Sequence, residues 1–274
     1  MKIFGLDFTS VPSSRKPITC AQCNLSADIL KLEKFETFES FDAFEVFLTQ
    51  PGPWVAGLDF PFEQPRRLIE NIGWPKSCEA YVRMLSRISK DEFVRMLAEY
   101  RKNRPPGDKQ HLRRVDELAS SRSPMMLFGV PGGKMFFAGS HRLLNSGACI
   151  LPCHPNADPR IVVEAYPALV ARRWIEYCGY KNDDRRKQTS AQRYGRAEIM
   201  RGLQANAKAR FGFDMGFSSD WAHKFTQDAT GDKLDAFLCA VQAGWAYSRL
   251  DEGYGIPAEC DPLEGWIVDP GLLN

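Results

Sequence analysis

The stretch MKIFGLDFTS, residues 1–10, decides the fold because it is an apolar run that reaches a carboxylate, Asp7, and then turns polar. Its pattern predicts a buried strand over residues 2–8. The run WVAGLDFPF, residues 54–62, repeats the tetrapeptide Gly-Leu-Asp-Phe and places Asp59 in the equivalent position. A buried carboxylate is costly unless it is paired or binds a cation, so the repeat indicates a site shared by two strands.

The segments around these two strands predict one α/β domain with a mixed sheet. Apolar runs before residue 40 predict an antiparallel meander of three strands, and later runs predict parallel strands joined by helices. Ser40 has the side chain of a helix N-cap, and Pro51 ends that helix. The further predicted elements are strands at 18–25, 27–38 and 160–167 and helices at 40–50, 167–180, 183–210 and 231–250.

The chain of 274 residues is long enough for a domain with an insertion. Residues 64–148 have a helical and basic pattern that Pro- and Gly-rich turn signals interrupt. We therefore predict a single domain over residues 1–250 with a helical insertion at about 64–148. Residues 251–274 are predicted to form a C-terminal extension packed on this domain.

Composition excludes several classes of protein. With 44% hydrophobic and 26% charged residues, the chain has the composition of a folded globular protein. No uncharged apolar run approaches the ~20 residues of a membrane-spanning helix, and the N-terminus lacks the apolar stretch of a secretory signal. The eight cysteines are spread along the chain, which suits reduced thiols. We therefore expect a cytoplasmic protein with no membrane partner, and the sequence leaves the oligomeric state open.

Positive charge is concentrated in two segments, although the formal net charge is only +2. Lys and Arg exceed Asp and Glu by thirteen to seven in residues 61–114 and by nine to three in residues 181–210. A solvated helical surface explains such segments, and so does a surface for a polyanion. The second interpretation makes nucleic acid, DNA or RNA, the expected partner.

Carboxylates recur at the ends of apolar strands and on one core-packing helix. Asp7, Asp59 and Glu164 lie at or near strand ends, and Asp232 and Asp235 lie one turn apart on the last helix. Such a group, without an evident His or Cys partner, suits the hard cations Mg²⁺ or Mn²⁺. Two ions about 3.5–4 Å apart would activate a water for phosphodiester hydrolysis. We predict that Asp7, Asp59, Glu164 and Asp235 converge, and we prefer Asp235 to Asp232 because small residues follow it.

The motifs GLDFTS, GLDFPF, VVEAYP and GDKLDAF, in this order, resemble the ribonuclease H-like superfamily. They resemble more closely its predicted-nuclease family, catalogued as domain of unknown function 429, over residues 1 to about 250. The resemblance implies a ribonuclease H-like mixed sheet, an antiparallel meander followed by parallel strands, flanked by helices. It also implies a metal-dependent nuclease whose active-site positions are Asp7, Asp59, Glu164, and Asp232 with Asp235.

Other polar residues are weaker candidates for substrate binding. Thr9 follows Asp7, and Lys134 follows a glycine pair whose backbone N–H groups can face an anion. Arg185 and Arg186 lie in a basic helical stretch that can follow a phosphate backbone. Turn residues and a solvated helix explain the same positions without a function.

Two other functions fit the same pattern. Actin-like ATPases and sugar kinases share the core fold, and GLDFTS is similar to their first phosphate loop, which makes an ATP phosphotransferase one alternative. A non-catalytic binding module on the same fold is the other. The nuclease is preferred because phosphotransferases of that type use two such cores with the nucleotide between them, whereas this sequence has the pattern of one core and no second glycine-rich phosphate loop.

Overall fold

The computed structural model describes residues 1–175 and 179–273. Within these residues, seven strands form one mixed sheet with helices packed on both of its faces. Residues 176–178, which include Cys178, lie outside the described residues. The strands are β1 (Lys2–Asp7), β2 (Ile18–Ser26), β3 (Ile29–Phe38), β4 (Trp54–Leu58), β5 (Cys149–Leu151), β6 (Arg160–Glu164) and β7 (Asp214–Gly216). The helices are α1 (Phe41–Leu48), α2 (Arg66–Ile72), α3 (Cys78–Leu85), α4 (Lys90–Lys102), α5 (Arg114–Leu118), α6 (Gly132–Ser146), α7 (Pro167–Ala171), α8 (Ser190–Phe211), α9 (Ser219–Gln227) and α10 (Asp232–Ser248).

The strand order in the sheet is β5-β6-β4-β1-β2-β3-β7. The first three strands form the predicted antiparallel meander, and β4, β6 and β5 extend the sheet in parallel from β1. The predicted α/β class and mixed sheet are therefore confirmed. The sequence pattern does not predict β5 or β7, because each has only three residues and a strand that short shows no periodicity.

Local capping chemistry sets the start of two helices. The Ser40 side chain accepts a hydrogen bond from the Ala43 N–H at 3.2 Å, as expected of the N-cap of α1. Thr189 caps α8 in the same way, and Gln192 completes a capping box by accepting from the Thr189 N–H. In both caps the interacting residues are three positions apart; the Ser40 cap is predicted from sequence, and the Thr189 cap is not.

The helices after β6 differ from their prediction. The helix predicted over 167–180 ends at Ala171, and its residues 176–178 lie outside the described part of the chain. The basic stretch predicted as a helix over 183–210 divides into a 3₁₀ turn, Arg185–Lys187, and α8. Across residues 1–175 and 179–273, every helix is too short or too polar to cross a bilayer.

The last helix, α10, crosses β1, β2 and β4 at close range. A Cβ on Gly5 would clash with the Ala236 carbonyl oxygen, and a Cβ on Gly57 would lie 2.6 Å from the Cys239 carbonyl oxygen. Both positions need glycine because helix and strand backbones touch there. Each glycine lies two residues before an aspartate of the repeated motif, so the close approach brings the first turn of α10 to those aspartates.

Helix α1 and helices of residues 64–148 cover the opposite face of the sheet. Phe4, Leu6, Leu58 and Val162 point to that face and pack among the buried aromatic residues of α1, α3, α4 and α6. This aromatic core is the larger of the two that sandwich the sheet, and it holds the insertion against the strands.

The C-terminal segment packs on the insertion. Trp266, Ile267 and Leu272 form a small buried cluster with Val115 and Ala119, the latter pair from α5 and its end. The same segment contacts the end of β6, because Ile267 forms a parallel β-bridge with Glu164.

Candidate metal centre

Three carboxylates meet where the parallel strands end. Asp7 is the last residue of β1, Asp59 directly follows β4, and Asp235 lies in the first turn of α10. One carboxylate oxygen from each lies within 4.8 Å of the other two. Asp7 and Asp235 are buried, and Asp59 is half-buried. We call these three residues the carboxylate cluster.

Strand register places two members of the cluster side by side. Leu6 of β1 lies opposite Leu58 of β4, and the Asp59 N–H donates a hydrogen bond to the Leu6 carbonyl oxygen at 3.0 Å. The next residue along each chain is therefore an aspartate, and both aspartates point to the face that α10 covers. Asp235 completes the cluster from that helix.

Burial and mutual repulsion oppose ionisation of the cluster. Burial raises the pKa of Asp7 well above its ordinary value; Lys181 opposes this rise, while Asp235 and Asp59 add to it. Burial also raises the pKa of Asp59 to about 7 and raises the pKa of Asp235. A divalent cation relieves both the repulsion and the desolvation cost, so the electrostatics favour cation binding.

One ammonium group, that of Lys181, contacts the cluster. It forms an ion pair with one oxygen of Asp235, and the other oxygen accepts a hydrogen bond from the Tyr180 hydroxyl at 2.5 Å. Burial lowers the pKa of Lys181, but Asp235 and Asp7 outweigh it and hold that pKa well above its ordinary value. The sequence analysis missed both residues, because nothing in the segment Gly-Tyr-Lys distinguishes it from an ordinary loop or helix end.

Glu164 does not join the cluster, contrary to the prediction. In the register of β6 it lies opposite Leu58, so its side chain points away from the face that carries Asp59. There Arg113 donates to its two oxygens at 2.6 and 2.8 Å, and the Phe62 N–H donates at 3.0 Å. Burial raises the pKa of Glu164, although Arg113 opposes the rise. The structure therefore does not bring Glu164 together with the other three carboxylates, and Arg113 is its ion-pair partner.

Asp232 also lies outside the cluster, at the N-terminal end of α10. Its carboxylate pairs with the ammonium of Lys16 at 2.9 Å, and Lys16 also contacts Asp183 at 3.0 Å. The structure therefore brings Asp235, and not Asp232, to the other two carboxylates. The one-turn offset between the two residues is enough to separate them.

The predicted substrate-binding residues are dispersed. Thr9 lines a cavity beside the cluster. Lys134 lies on α6 with its ammonium nitrogen 5.2 Å from the centre of the Phe128 ring. Arg185 and Arg186 are exposed in their 3₁₀ turn. In the part of the chain that the structure describes, neither residue lines a cavity next to the cluster. Of these four predicted residues, only Thr9 lines a cavity next to the cluster.

Two cavities meet at the cluster, and both are lined in part by Asp59 and Lys181. The first has a volume of about 210 Å³ and mostly apolar walls, and we call it the apolar cavity. The second has a volume of about 430 Å³, and we call it the polar cavity. The apolar cavity is lined by residues that include Phe60, Pro124, Val130, Met135, Tyr166 and Ala168. The polar cavity is lined by residues that include Asp7, Thr9, Ser10, Lys16, Asn182 and Asp183.

Comparison of the chain with protein-family profiles, with curated proteins and with solved structures gave no match. A function for this protein is therefore inferred from the residues of the cluster and its two cavities.

Proposed function

We propose that the protein is a metal-dependent nuclease that hydrolyses phosphodiester bonds of DNA or RNA. The observation that supports this function best is the carboxylate cluster, in which Asp7, Asp59 and Asp235 offer oxygens within 4.8 Å of one another. Donors that are all carboxylate oxygens suit Mg²⁺ or Mn²⁺. Among the described residues one ammonium, that of Lys181, pairs with the three carboxylates, which leaves enough negative charge for a divalent cation.

The charge of the cluster favours one ion. The two-ion arrangement expected from the sequence counted Glu164 as a fourth carboxylate, and that residue is paired with Arg113, which Asp116 shares, on the other face of the sheet. A bound divalent cation supplies a water of lowered pKa and neutralises charge on the scissile phosphate. One such ion, with Lys181 beside it, is the arrangement we propose.

The residues around the ion have separate tasks. Asp7, Asp59 and Asp235 hold the cation, and the Tyr180 hydroxyl fixes the orientation of the Asp235 carboxylate through their hydrogen bond of 2.5 Å. Lys181 is free to contact the phosphate when the cation replaces it as the partner of Asp235, because its side chain is 38% exposed. An ammonium in this position stabilises charge that develops on phosphate oxygens in the transition state.

The fold agrees with the resemblance to ribonuclease H-like nucleases. The antiparallel meander, the parallel strands that follow it, and carboxylates at the ends of β1 and β4 and on α10 are the features that the resemblance implies. Glu164 departs from it. We place the activity in the cytoplasm, since the seven described cysteines are free thiols suited to a reducing compartment.

One observation favours the non-catalytic binding module as a second candidate. The ammonium of Lys181 already contacts Asp235, so the cluster has a partial counter-charge without a metal. The phosphotransferase has less in its favour, because it requires two cores and the described residues form one sheet. ATP hydrolysis with a panel of sugar acceptors tests it directly.

Metal binding and cleavage measured on the same variants test the proposed function. Wild-type protein is titrated with Mn²⁺ by calorimetry and then assayed with Mn²⁺ or Mg²⁺ on single-stranded, duplex and branched DNA and RNA. Asp7→Asn is expected to lose metal binding and cleavage together, because it removes a charged ligand at nearly constant volume. Asp251→Asn, an exposed aspartate without an ion-pair partner among the described residues, is the matched control and should retain both.

Cleavage by Asp7→Asn at the wild-type rate would overturn the nuclease. Absence of metal binding in the wild-type protein would instead leave the non-catalytic module, with Lys181 as a structural counter-ion.

A further inference from the structure

We infer that the substrate of this site is single-stranded nucleic acid, of which one unpaired base enters the apolar cavity while its phosphate lies at the carboxylate cluster. This inference rests on the proposed nuclease function and names its substrate class. It comes from the lining of the two cavities beside the cluster and from an exposed loop.

The apolar cavity begins at the cluster but is unsuited to a phosphate. Asp59, Asp235 and Lys181 stand at one end, and most of the remaining surface is apolar. The charged residues Arg113, Asp116, Arg122 and Glu164 also line it. Phe60, Met135 and Tyr166 supply much of this surface. Arg113 is already paired with Asp116 and Glu164, so apart from the exposed Arg122 the cavity offers a phosphate no free cation among the described residues that line it. A planar uncharged ring would instead bury apolar surface. A volume of about 210 Å³ is suited to one heterocycle.

The polar cavity has a larger share of polar surface than the apolar cavity. Thr9 and Ser10 offer hydroxyl groups, and Asn182 offers an amide. Lys16 and Lys181 line it as well, each in an ion pair with an aspartate. Hydroxyl, amide and ammonium donors are the groups that contact phosphate and sugar oxygens in protein complexes with nucleic acids. The polar cavity therefore fits the sugar-phosphate chain on one side of the scissile bond.

The junction of the cavities orders the parts of a nucleotide. Because Asp59 and Lys181 line both cavities, a strand that passes from one to the other crosses the cluster at a phosphate. Arg122 lines the apolar cavity from an exposed position and has no ion-pair partner among the described residues, so it is available to the next phosphate. The phosphate chain would therefore lie in the polar cavity, the scissile phosphate at the cluster, and the base in the apolar cavity.

An exposed loop before α6 supplies a place for a second base. Phe128 is 70% exposed and Val130 is 58% exposed, although large apolar side chains usually bury such surface. The Lys134 ammonium lies 5.2 Å from the centre of the Phe128 ring, and Val130 lines both cavities. An aromatic ring with a cation beside it, next to a groove that fits a phosphate chain, is a stacking platform for bases of a single strand.

A duplex does not fit this arrangement without distortion. Its bases are stacked on both faces and paired, and extracting one costs a few kcal/mol. A single strand avoids that cost. We therefore expect cleavage of a single strand at least about 10-fold faster than cleavage of the same sequence in a duplex, a factor that corresponds to about 1.4 kcal/mol.

The test compares one labelled sequence, as DNA and as RNA, in single-stranded and fully paired form. Binding is measured by fluorescence anisotropy on Asp7→Asn, which separates affinity from chemistry, and cleavage is measured on protein with an intact cluster. Ala168→Trp fills the apolar cavity from α7, and Ala205→Trp, on the exposed face of α8, is the matched control. Phe128→Ala is a second variant, in an exposed loop where folding is not at risk.

The single strand should be bound more tightly and cleaved faster than the duplex. Ala168→Trp should cleave the single strand at least about 10-fold more slowly than the wild type, with unchanged Mn²⁺ binding. Phe128→Ala should weaken single-strand binding, whereas Ala205→Trp should match the wild type. An abasic nucleotide beside the cleaved bond should slow the wild-type protein and leave Ala168→Trp unaffected.

Two failures are distinguishable. If Asp7-dependent cleavage occurs but duplex and single strand bind and react equally, or if neither Ala168→Trp nor Phe128→Ala changes binding, the inference is overturned and the nuclease stands. If no nucleic acid is cleaved in an Asp7-dependent manner and none is bound, both the nuclease and the inference are overturned.

Discussion

Replacing Asp59 by asparagine is expected to stabilise the metal-free protein at neutral pH. The pKa of Asp59 rises from 3.8 to about 7 in the folded protein, chiefly because of burial. The folded state therefore binds the proton of this group more tightly than the unfolded state does. The resulting stabilisation is fully present below pH 3.8 and is lost as the pH rises through about 7.

The size of the effect follows from the same shift. A rise from 3.8 to about 7 corresponds to at most about 4 kcal/mol, at 1.36 kcal/mol per pH unit. Asp59 is half-buried, and solvent screening reduces this limit, so we expect about 2 kcal/mol. Asp59→Asn should accordingly raise the free energy of unfolding by about 2 kcal/mol at pH 8 and change it little at pH 4.

Urea denaturation in EDTA, followed by tryptophan fluorescence at both pH values, measures this difference. Asp251→Asn, exposed and outside the cluster, controls for the change of charge alone and should shift the free energy of unfolding by less than about 0.5 kcal/mol. Excess Mn²⁺ should make the wild type more stable than Asp59→Asn at pH 8. Mn²⁺ at a concentration of about 100 times its Kd stabilises the protein with the intact cluster by about 2.7 kcal/mol. An Asp59→Asn variant that is less stable than the wild type at pH 8 without metal would refute the electrostatic reasoning.

Three other changes test the packing and charge around the cluster. Gly5→Ala places a Cβ against the backbone of α10, so urea denaturation should show a loss of about 3 kcal/mol and calorimetry should show weaker Mn²⁺ binding; wild-type values would mean that the helix does not press on the strand. Arg113→Met leaves the buried Glu164 and Asp116 without their shared partner and should cost about 3–5 kcal/mol of unfolding free energy. Arg113→Met combined with Glu164→Gln should restore part of this loss, since Asp116 stays unpaired; equal stability of the single and double variants would contradict the Arg113–Glu164 ion pair. Lys181→Met removes the ammonium that competes with a cation for Asp235, so calorimetry should show Mn²⁺ binding about 10-fold tighter, or about 1.4 kcal/mol; weaker binding would assign Lys181 a different role.

Much of the frame of the site is readable from local patterns. The apolar runs that become β1 and β4 and the Ser40 cap of α1 depend on residues a few positions apart. The repeated Gly-Leu-Asp-Phe marks Asp7 and Asp59 because a carboxylate is unusual in an apolar strand. Asp235 is marked by its place beside the apolar stripe of α10. Each signal is local, so a single sequence carries it.

The position of Glu164 shows where local patterns end. Periodicity places Glu164 on the same face of β6 as Val162, and the structure agrees. Which face that is, relative to Asp59, depends on the register between β4 and β6, and register is set by hydrogen bonds between distant segments. A shift of one residue would have brought Glu164 to the cluster.

The charge balance of the site also depends on distant partners. Lys181 reaches Asp235 across 54 positions of sequence, and Arg113 reaches Glu164 across 51. Neither cation has a local pattern, because an ion pair constrains the distance in space between two groups and not their separation along the chain. The residue types and the strand and helix patterns thus identify the three residues of the carboxylate cluster. Folding of the whole chain selects the lysine that pairs with Asp235 and the cavities beside the cluster, since both arise from long-range packing.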